Sequence, residues 1–332
     1  MRWWVSAVVL LLIILMVVPS GTEAHAPKFP AGNDSVDNAY SVDEVSKSLV
    51  IYNHLESGGV QYYTLEVDNE RLLIQILVPV GEVDKGFRPQ IALMVPGWNV
   101  TTTPYNVTVP DGYGLEVLPS SVPEEAEYEG ITATAFYVLM EFDEPSDGLH
   151  DGEATLIVAV FDENNVSGDY ALVVGYEERF TLMEMLLIPF DLISIYQWQG
   201  SEILLVVTPI SLLLLMGGVL MYRMRSNGRL DITTTMGIVG GTLMMGTAAT
   251  VIVQMLVALG HSGLSAGALV TSILIMMGLV GGLISVLLSI SDWEFKRRRM
   301  LMVVSSLLGL LSFNGLLIGP VMVFVAAVKK RP

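Results

Sequence analysis

Four histidines (His25, His54, His150 and His261) and a complete lack of cysteine bound the metal and nucleophile chemistry open to this chain. Thiolate ligands, disulfide staples and thiol redox steps are excluded. A histidine at a free amino terminus offers copper two nitrogens, its amine and its ring Nδ1, and a second imidazole completes a planar set. In "GTEAHAPKFP" a cut after Ala24 would make His25 that terminal residue. His54 or His150 would then supply the second ring, with Asp147 or Asp151 close by in "SDGLHDG". Pro27 removes a backbone N–H, so an amide-wrapped copper site cannot form. Met244, Met245, Met276 and Met277 sit in apolar runs where methionine is an ordinary filler. A copper module built on His25, His54 and His150 is therefore a secondary expectation.

Carboxylates offer a second chemistry. "FDENNVSGD" places Asp162, Asn164 and Asp169 within one loop, in the manner of a calcium ligand set. A helix–loop–helix calcium site needs an acceptor where Val166 stands and a glutamate after it, so a turn between strands is the primary expectation. "PSSVPEEAEYEG" reads as a solvated acidic loop. No nucleophile elbow, zinc-binding helix or phosphate loop occurs. The chain is expected not to be an enzyme, and copper or calcium is the only cofactor its residues offer.

The elements that carry these residues divide into two unlike halves. Residues 25–200 hold 29 Asp/Glu against 6 Lys/Arg, a net of −23, whereas residues 201–332 hold 4 against 10, a net of +6. The acidic half disfavours nucleic acid and favours cations or basic partners. Residues 1–24, with Arg2, an apolar run from Trp3 to Val18 and small residues up to Ala24, have the form of a signal peptide. Four uncharged apolar runs follow, at 203–221, 235–259, 268–290 and 301–328. Each reaches the roughly 20 residues needed to cross a bilayer as a helix. Arg223, Arg225 and Arg229 follow the first run, and Lys296 to Arg299 follow the third. Positive loops stay in the cytoplasm, which puts residues 25–200 outside. A single final crossing then leaves Lys329, Lys330 and Arg331 outside, against that rule; a break at "FNG" or "IGP" with re-entry is the alternative. Residues 180–200 carry Glu184, Pro189 and Asp191 among apolar residues and are expected to form an amphipathic helix in the interface, with Tyr196 and Trp198 at headgroup level.

Two near-copies, "MGIVGGT" and "MGLVGGL", place Gly237/Gly241 and Gly278/Gly282 four residues apart, a spacing that lets helix backbones approach. The polar residues of the runs include nothing ionisable, which argues against a proton or ion pathway. A small transporter or channel subunit is thus a further alternative.

Residues 45–179, after an extended segment at 25–44, alternate strand-like runs with turns, several of them apolar on both faces. "QYYTLEV" and "RLLIQILVPV", separated by "DNE", read as a hairpin. A two-layer β-sandwich is expected. "ESGGVQYYTLEVDNERLLIQILVP" and "DGEATLIVAVFDENNVSGDYALVVGY" resemble the pre-peptidase C-terminal type of jelly-roll. That resemblance implies an accessory β-sandwich of secreted enzymes and surface proteins that binds calcium, glycans or protein. The family's Asp-rich strand has no counterpart, since "PQIALMVPG" stands in its place. Sequons at Asn33, Asn99, Asn106 and Asn165 all fall in the acidic half. The expected fold is a jelly-roll-like β-sandwich ectodomain followed by a membrane domain of four transmembrane helices. The expected function is noncatalytic binding or assembly at the cell surface. Membrane lipid would surround the helices, a glycan, divalent cation or protein would engage the ectodomain, and a second membrane subunit or another copy of the chain would pair with the bundle.

Overall fold

The computed structural model describes residues 25–99, 103–104, 106–150, 152–291 and 294–329. The expected signal peptide at 1–24, Asp151, Lys330 and Arg331 lie outside the described residues. The strands are β1 (Ala26–Lys28), β2 (Tyr40–Val42), β3 (Leu49–Leu55), β4 (Val60–Asp68), β5 (Arg71–Pro79), β6 (Gln90–Pro96), β7 (Tyr113–Leu118), β8 (Glu127–Glu129), β9 (Thr134–Pro145), β10 (Glu153–Phe161) and β11 (Gly168–Val174). A short helix, α1 (Val80–Asp84), follows β5. One sheet has the order β1-β3-β11-β5-β9-β8 and the other β2-β4-β10-β6-β7. The pairings are antiparallel except at two edges, where β1 runs parallel to β3 and β2 parallel to β4.

The sheets face each other across one core. Ile51, Ile74, Ile76 and Leu172 from the first sheet meet Tyr63, Leu65, Leu93 and Val158 from the second, all buried. Each such side chain contributes roughly 1.5–3 kcal/mol on burial. The Tyr63 and Tyr170 hydroxyls satisfy each other inside this core at 2.6 Å.

One expectation needs correction here. "QYYTLEV" and "RLLIQILVPV" are not a hairpin: β4 pairs with β10 and β2, and β5 pairs with β11 and β9, so the chain crosses between sheets at "DNE". Crossing puts both apolar strands into one core, which a two-stranded hairpin could not bury alone. The extended segment 25–44 supplies β1 and β2, which clip onto one edge of each sheet.

Six further helices follow: α2 (Leu182–Trp198), α3 (Ile203–Ser226), α4 (Ile232–Ser262), α5 (Ala266–Ile290), α6 (Phe295–Leu311) and α7 (Ile318–Val328). Three of them, α3, α4 and α5, are long and apolar enough to cross a membrane. The expectation of a fourth crossing over 301–328 is overturned. That run is broken at Ser312–Leu317, where Phe313, Gly315, Leu316 and Leu317 all adopt positive φ. Helices of 17 and 11 residues rise only about 26 and 17 Å, short of the roughly 30 Å of hydrocarbon. They fold back as a hairpin, with the Ser306 hydroxyl donating to the Pro320 carbonyl at 2.8 Å. The hairpin tip lies level with the middle of α4 and α5, where Asn314 meets Thr247 and Gly278. Its far end returns to the level of Met236, Leu288 and Met302, at the arginine-bearing end of the bundle.

The glycine motifs explain how these helices approach. Gly241 and Gly282 face each other across α4 and α5: a Cβ on either would lie 2.5–2.6 Å from the other's carbonyl oxygen. Their neighbours serve the hairpin, Gly240 receiving Gly319 and Val323 of α7, and Gly281 receiving Ser305 and Leu308 of α6. Gly237 accommodates Ser289, and Gly278 accommodates Asn314.

Candidate functional site

Part of the outer face of the six-stranded sheet is covered by helices. Val50, Leu77, Ala171 and Val173 pack on Trp198 of α2, and Val80, Ala126 and Ala135 pack on Ala258 near the end of α4. At 31 residues α4 is about 46 Å long, more than the roughly 30 Å of a bilayer's hydrocarbon, and its last turns contact the sheet. This second contact is why several strands are apolar on both faces. Tyr196 and Trp198, expected at headgroup level, are buried, with 2% and 6% exposure.

The seam is incompletely filled. A cavity of about 640 Å³ lies between the sheet, α2 and the start of α5. Its roof is Tyr52, Gln75, Leu77, Phe136, Val138 and Glu141 from β3, β5 and β9. One stripe of α2, Met185, Ile188, Leu192 and Ile195, forms a side wall at helical spacing. Val270 closes the α5 side, and Phe313 from the hairpin tip forms the floor. Ile131, Ile188, Leu192 and Phe313 also border a second cavity of about 50 Å³ beneath, whose polar residues are Thr247, Thr250, Ser312 and Asn314. Tyr196 lines that lower space, and its hydroxyl is buried with no hydrogen-bond partner.

The polar wall of the upper cavity is acidic. Glu129 accepts from the Ile131 N–H at 2.8 Å and from the Thr132 N–H and hydroxyl; burial holds its carboxyl above the usual carboxylate range, and these bonds offset that only in part. Glu141 accepts from Gln75 Nε2 at 2.8 Å. The turn after β8 is tied to the bundle, since Tyr128 pairs with the Thr271 hydroxyl at 2.8 Å and Thr271 also donates to the Gly130 carbonyl. Gly130 and Gly267 let this crossing happen, because a Cβ on Gly130 would lie 2.7 Å from the Gly267 carbonyl oxygen. On the α2 side, Lys28 and Lys47 each place Nζ 2.9 Å from Glu184. Thr181 and Glu184 form a capping box at the start of α2. Burial opposes ionisation of Glu184, but the two lysines and Thr181 outweigh it and pull its carboxyl down to about 2.

The structure disperses the expected copper ligands. His25 pairs with the Ser48 hydroxyl beside the seam, and burial pulls its ring down to about 4. His54 bonds Asp169 at 2.8 Å through Nδ1 and Ser167 at 3.0 Å through Nε2, at the other end of β3. His150 follows β9, its Nδ1 buried without a partner. Among the described residues no three His, Asp or Glu side chains are grouped to hold a metal. The calcium set is dispersed likewise. Asp162 is buried and spends its oxygens on the N–H groups of Asn164, Val166 and Arg88, while Asp169 serves His54. Asp162 therefore closes the loop in the place a cation would have taken.

Ser167, His54 and Asp169 were missed by sequence reading because 113 residues separate the serine from the histidine. Their bonds copy the order of a nucleophile, base and orienting acid. His54 and Asp169 are, however, a directly opposed cross-strand pair with side chains 49% and 30% exposed, where water competes for every bond. They also lie outside the two seam cavities and outside an open acidic one of about 570 Å³ beside Asp34, Asp37 and Glu56. The trio therefore reads as surface pairing.

Of the sequons, Asn33 is only 2% exposed, with its side-chain amide donating to the Tyr62 carbonyl and accepting from Asn53. Its nitrogen is not available to a glycan in this fold. Asn99 and Asn165 are exposed, and Asn106 is at the surface with its amide donating to the Gly58 carbonyl at 3.0 Å. Comparison with known families found no family model that matches the chain, and no curated protein matches it.

Proposed function

We propose that this chain is a noncatalytic, ligand-binding protein of the cell surface, anchored by three crossings and a re-entrant hairpin, with its ligand seated in the seam cavity. The single observation that carries the reading is the cavity itself. Its size falls within the roughly 300–1,000 Å³ of small-molecule sites, and it joins an apolar wall to a few convergent polar groups at a domain boundary.

The outer domain is read as a jelly roll. Taken in chain order, β3, β4, β5, β6, β7, β9, β10 and β11 pair first with eighth, second with seventh, third with sixth and fourth with fifth. A long antiparallel ribbon rolled into two layers has that order. For orientation, the arginines at and just after the end of α3, the basic residues in the first turns of α6 and the end of α7 share one end of the bundle, and the sheets sit at the other. Arg229 reaches the Ile290 carbonyl at 3.2 Å, and Arg298 the Leu288 carbonyl at 3.3 Å. The positive-inside rule then holds for the tail as well as the loops, and the acidic domain faces outward with Asn99, Asn106 and Asn165 as glycan acceptors.

Native mass spectrometry of the full chain released from its membrane should reveal a retained small-molecule adduct. Ile188→Trp, which fills the cavity from α2, should lose it. A wild-type spectrum free of adducts would remove the reading. The natural lack of cysteine makes the orientation directly measurable. A cysteine at Glu56 should react with an impermeant maleimide on intact cells, and cysteines at Ser226 and Lys329 should not.

A further inference from the structure

The small cavity beneath the seam holds a buried hydroxyl with nothing to bond, and its surroundings define the group that would satisfy it. We infer that the seam ligand is an apolar alcohol, whose body fills the upper cavity and whose hydroxyl enters the lower one to accept from Tyr196. This rests on the seam being the binding site proposed above.

The two cavities are consecutive spaces along one helix. Ile131, Ile188, Leu192 and Phe313 border both. Ile188, Leu192 and Tyr196 stand four residues apart on α2, so one stripe of that helix runs from the upper space into the lower. A body packed on Met185, Ile188 and Leu192, beneath Phe136 and Val138, has its far end directed past Phe313 toward Tyr196. The lower space, at about 50 Å³, is too small for a ligand of its own. It has room for about three waters, or for one small polar end of something larger.

The side-chain protons around that space are nearly all committed. Thr250 donates to the Val206 carbonyl and Ser312 to the Leu308 carbonyl, each at 2.8 Å. Thr247 donates within α4 or to Asn314, and both amide protons of Asn314 go to the Leu274 and Ser312 carbonyls. The Tyr196 hydroxyl is the exception: it is buried and has no partner among the described residues. Burial and the nearby Glu129 carboxylate hold its phenol above the ordinary value, so it keeps its proton and acts as a donor. The oxygens of Thr250 and Ser312 retain lone pairs, and the Asn314 side-chain oxygen can accept a second bond beside that of Thr247. One free donor thus stands among several free acceptors. A hydroxyl answers both, accepting from Tyr196 and donating to one of these oxygens. An ether or ketone oxygen makes the first bond only. A hydrocarbon end makes neither and leaves a buried donor unsatisfied, which native interiors avoid. Water has the same two capacities as an alcohol, so the test must separate a ligand hydroxyl from trapped water.

The experiment uses the full chain in phosphatidylcholine nanodiscs with photoreactive probes of one chain length: a primary alcohol, its methyl ether and the parent hydrocarbon. Crosslinked peptides are mapped by mass spectrometry. Labelling within 185–196 and 312–316 that Ile188→Trp removes belongs to the cavities; Val138→Phe, which fills the same space from the sheet, serves if that variant fails to fold. The alcohol should label these segments at least about fivefold more than the ether or the hydrocarbon, the effect of one net hydrogen bond. Tyr196→Phe should lower alcohol labelling by a similar factor and leave hydrocarbon labelling unchanged. If Tyr196→Phe fails to fold, the wild-type order of the probes still decides. Equal labelling by all three probes, unmoved by Tyr196→Phe, shows that water satisfies the tyrosine; it overturns the inference and leaves the seam a binding site. Stronger labelling by the ether, or an alcohol preference that survives Tyr196→Phe, overturns it likewise. Cavity labelling by no probe overturns both readings.

Discussion

Both faces of the six-stranded sheet carry apolar residues at their centre, and the two end up in different states. The inner face meets another sheet, and Ile51, Ile74, Ile76 and Leu172 are sealed at 0% exposure, with the one tyrosine pair satisfied internally. The outer face meets helices. A twisted sheet and a few cylinders do not interdigitate fully, and the misfit leaves the seam cavity together with unpartnered polar atoms on Tyr196 and Trp198. Closure by a like partner gives a core, whereas closure by an unlike one gives a core with a vacancy in it.

Neighbouring residues on β5 expose that difference most strongly. Ile76 points inward and Leu77 outward, onto the cavity. Ile76→Ala should cost about 2–5 kcal/mol in chemical unfolding of the outer domain. Leu77→Ala borders space already empty, loses fewer contacts, and should cost about 2 kcal/mol or less. Equal costs would show that the outer face is packed as tightly as the inner one.

The floor of the seam depends on Asn314, which bonds Thr247, the Leu274 carbonyl and the Ser312 carbonyl, each at 3.1 Å. At roughly 0.6 kcal/mol for each such bond in a membrane, Asn314→Ala should cost about 1–2 kcal/mol in detergent unfolding and leave β-domain proteolysis unchanged.

Acid should loosen the outer seam in two stages and spare the inner one. His25 has a folded pKa of about 4, below its ordinary value near 6.5, so its contribution is complete above that ordinary value and is lost as pH falls toward 4. Glu184, at about 2 in the fold, contributes above its ordinary carboxylate range and fails as pH falls toward 2. Hydrogen exchange in α2 should rise over both windows, and Lys47→Met should blunt the lower one. Exchange in β10 should stay flat. Smallest of all, His54→Ala on the exposed rim should change stability by less than about 1 kcal/mol by thermal melting.

Much of this architecture is legible from residue types. Charge partition separates the sheets from the helices, and the two Gly motifs mark where α4 and α5 cross. The seam was not legible, because an outward Leu77 or Val173 has the same periodicity whether it meets a sheet, a helix or lipid. Nor was the break after Leu311 decided: uncharged residues continue straight through it, and "FNG" and "IGP" offered re-entry only as the alternative to a single crossing. The trio of Ser167, His54 and Asp169 depends on a strand register that no local pattern encodes.

The broken run has a consequence for how the molecule is made. A turn whose amides and carbonyls sit at mid-depth cannot rest in hydrocarbon by itself. Here Thr247 accepts from the Gly315 N–H at 2.7 Å, and Asn314 reaches the Leu274 carbonyl. Those partners belong to α4 and α5, which leave the ribosome earlier. On the re-entrant reading proposed above, the last thirty or so residues need that pair already in place, and a chain truncated after α5 would leave Gly240 and Gly281 without α7 and α6.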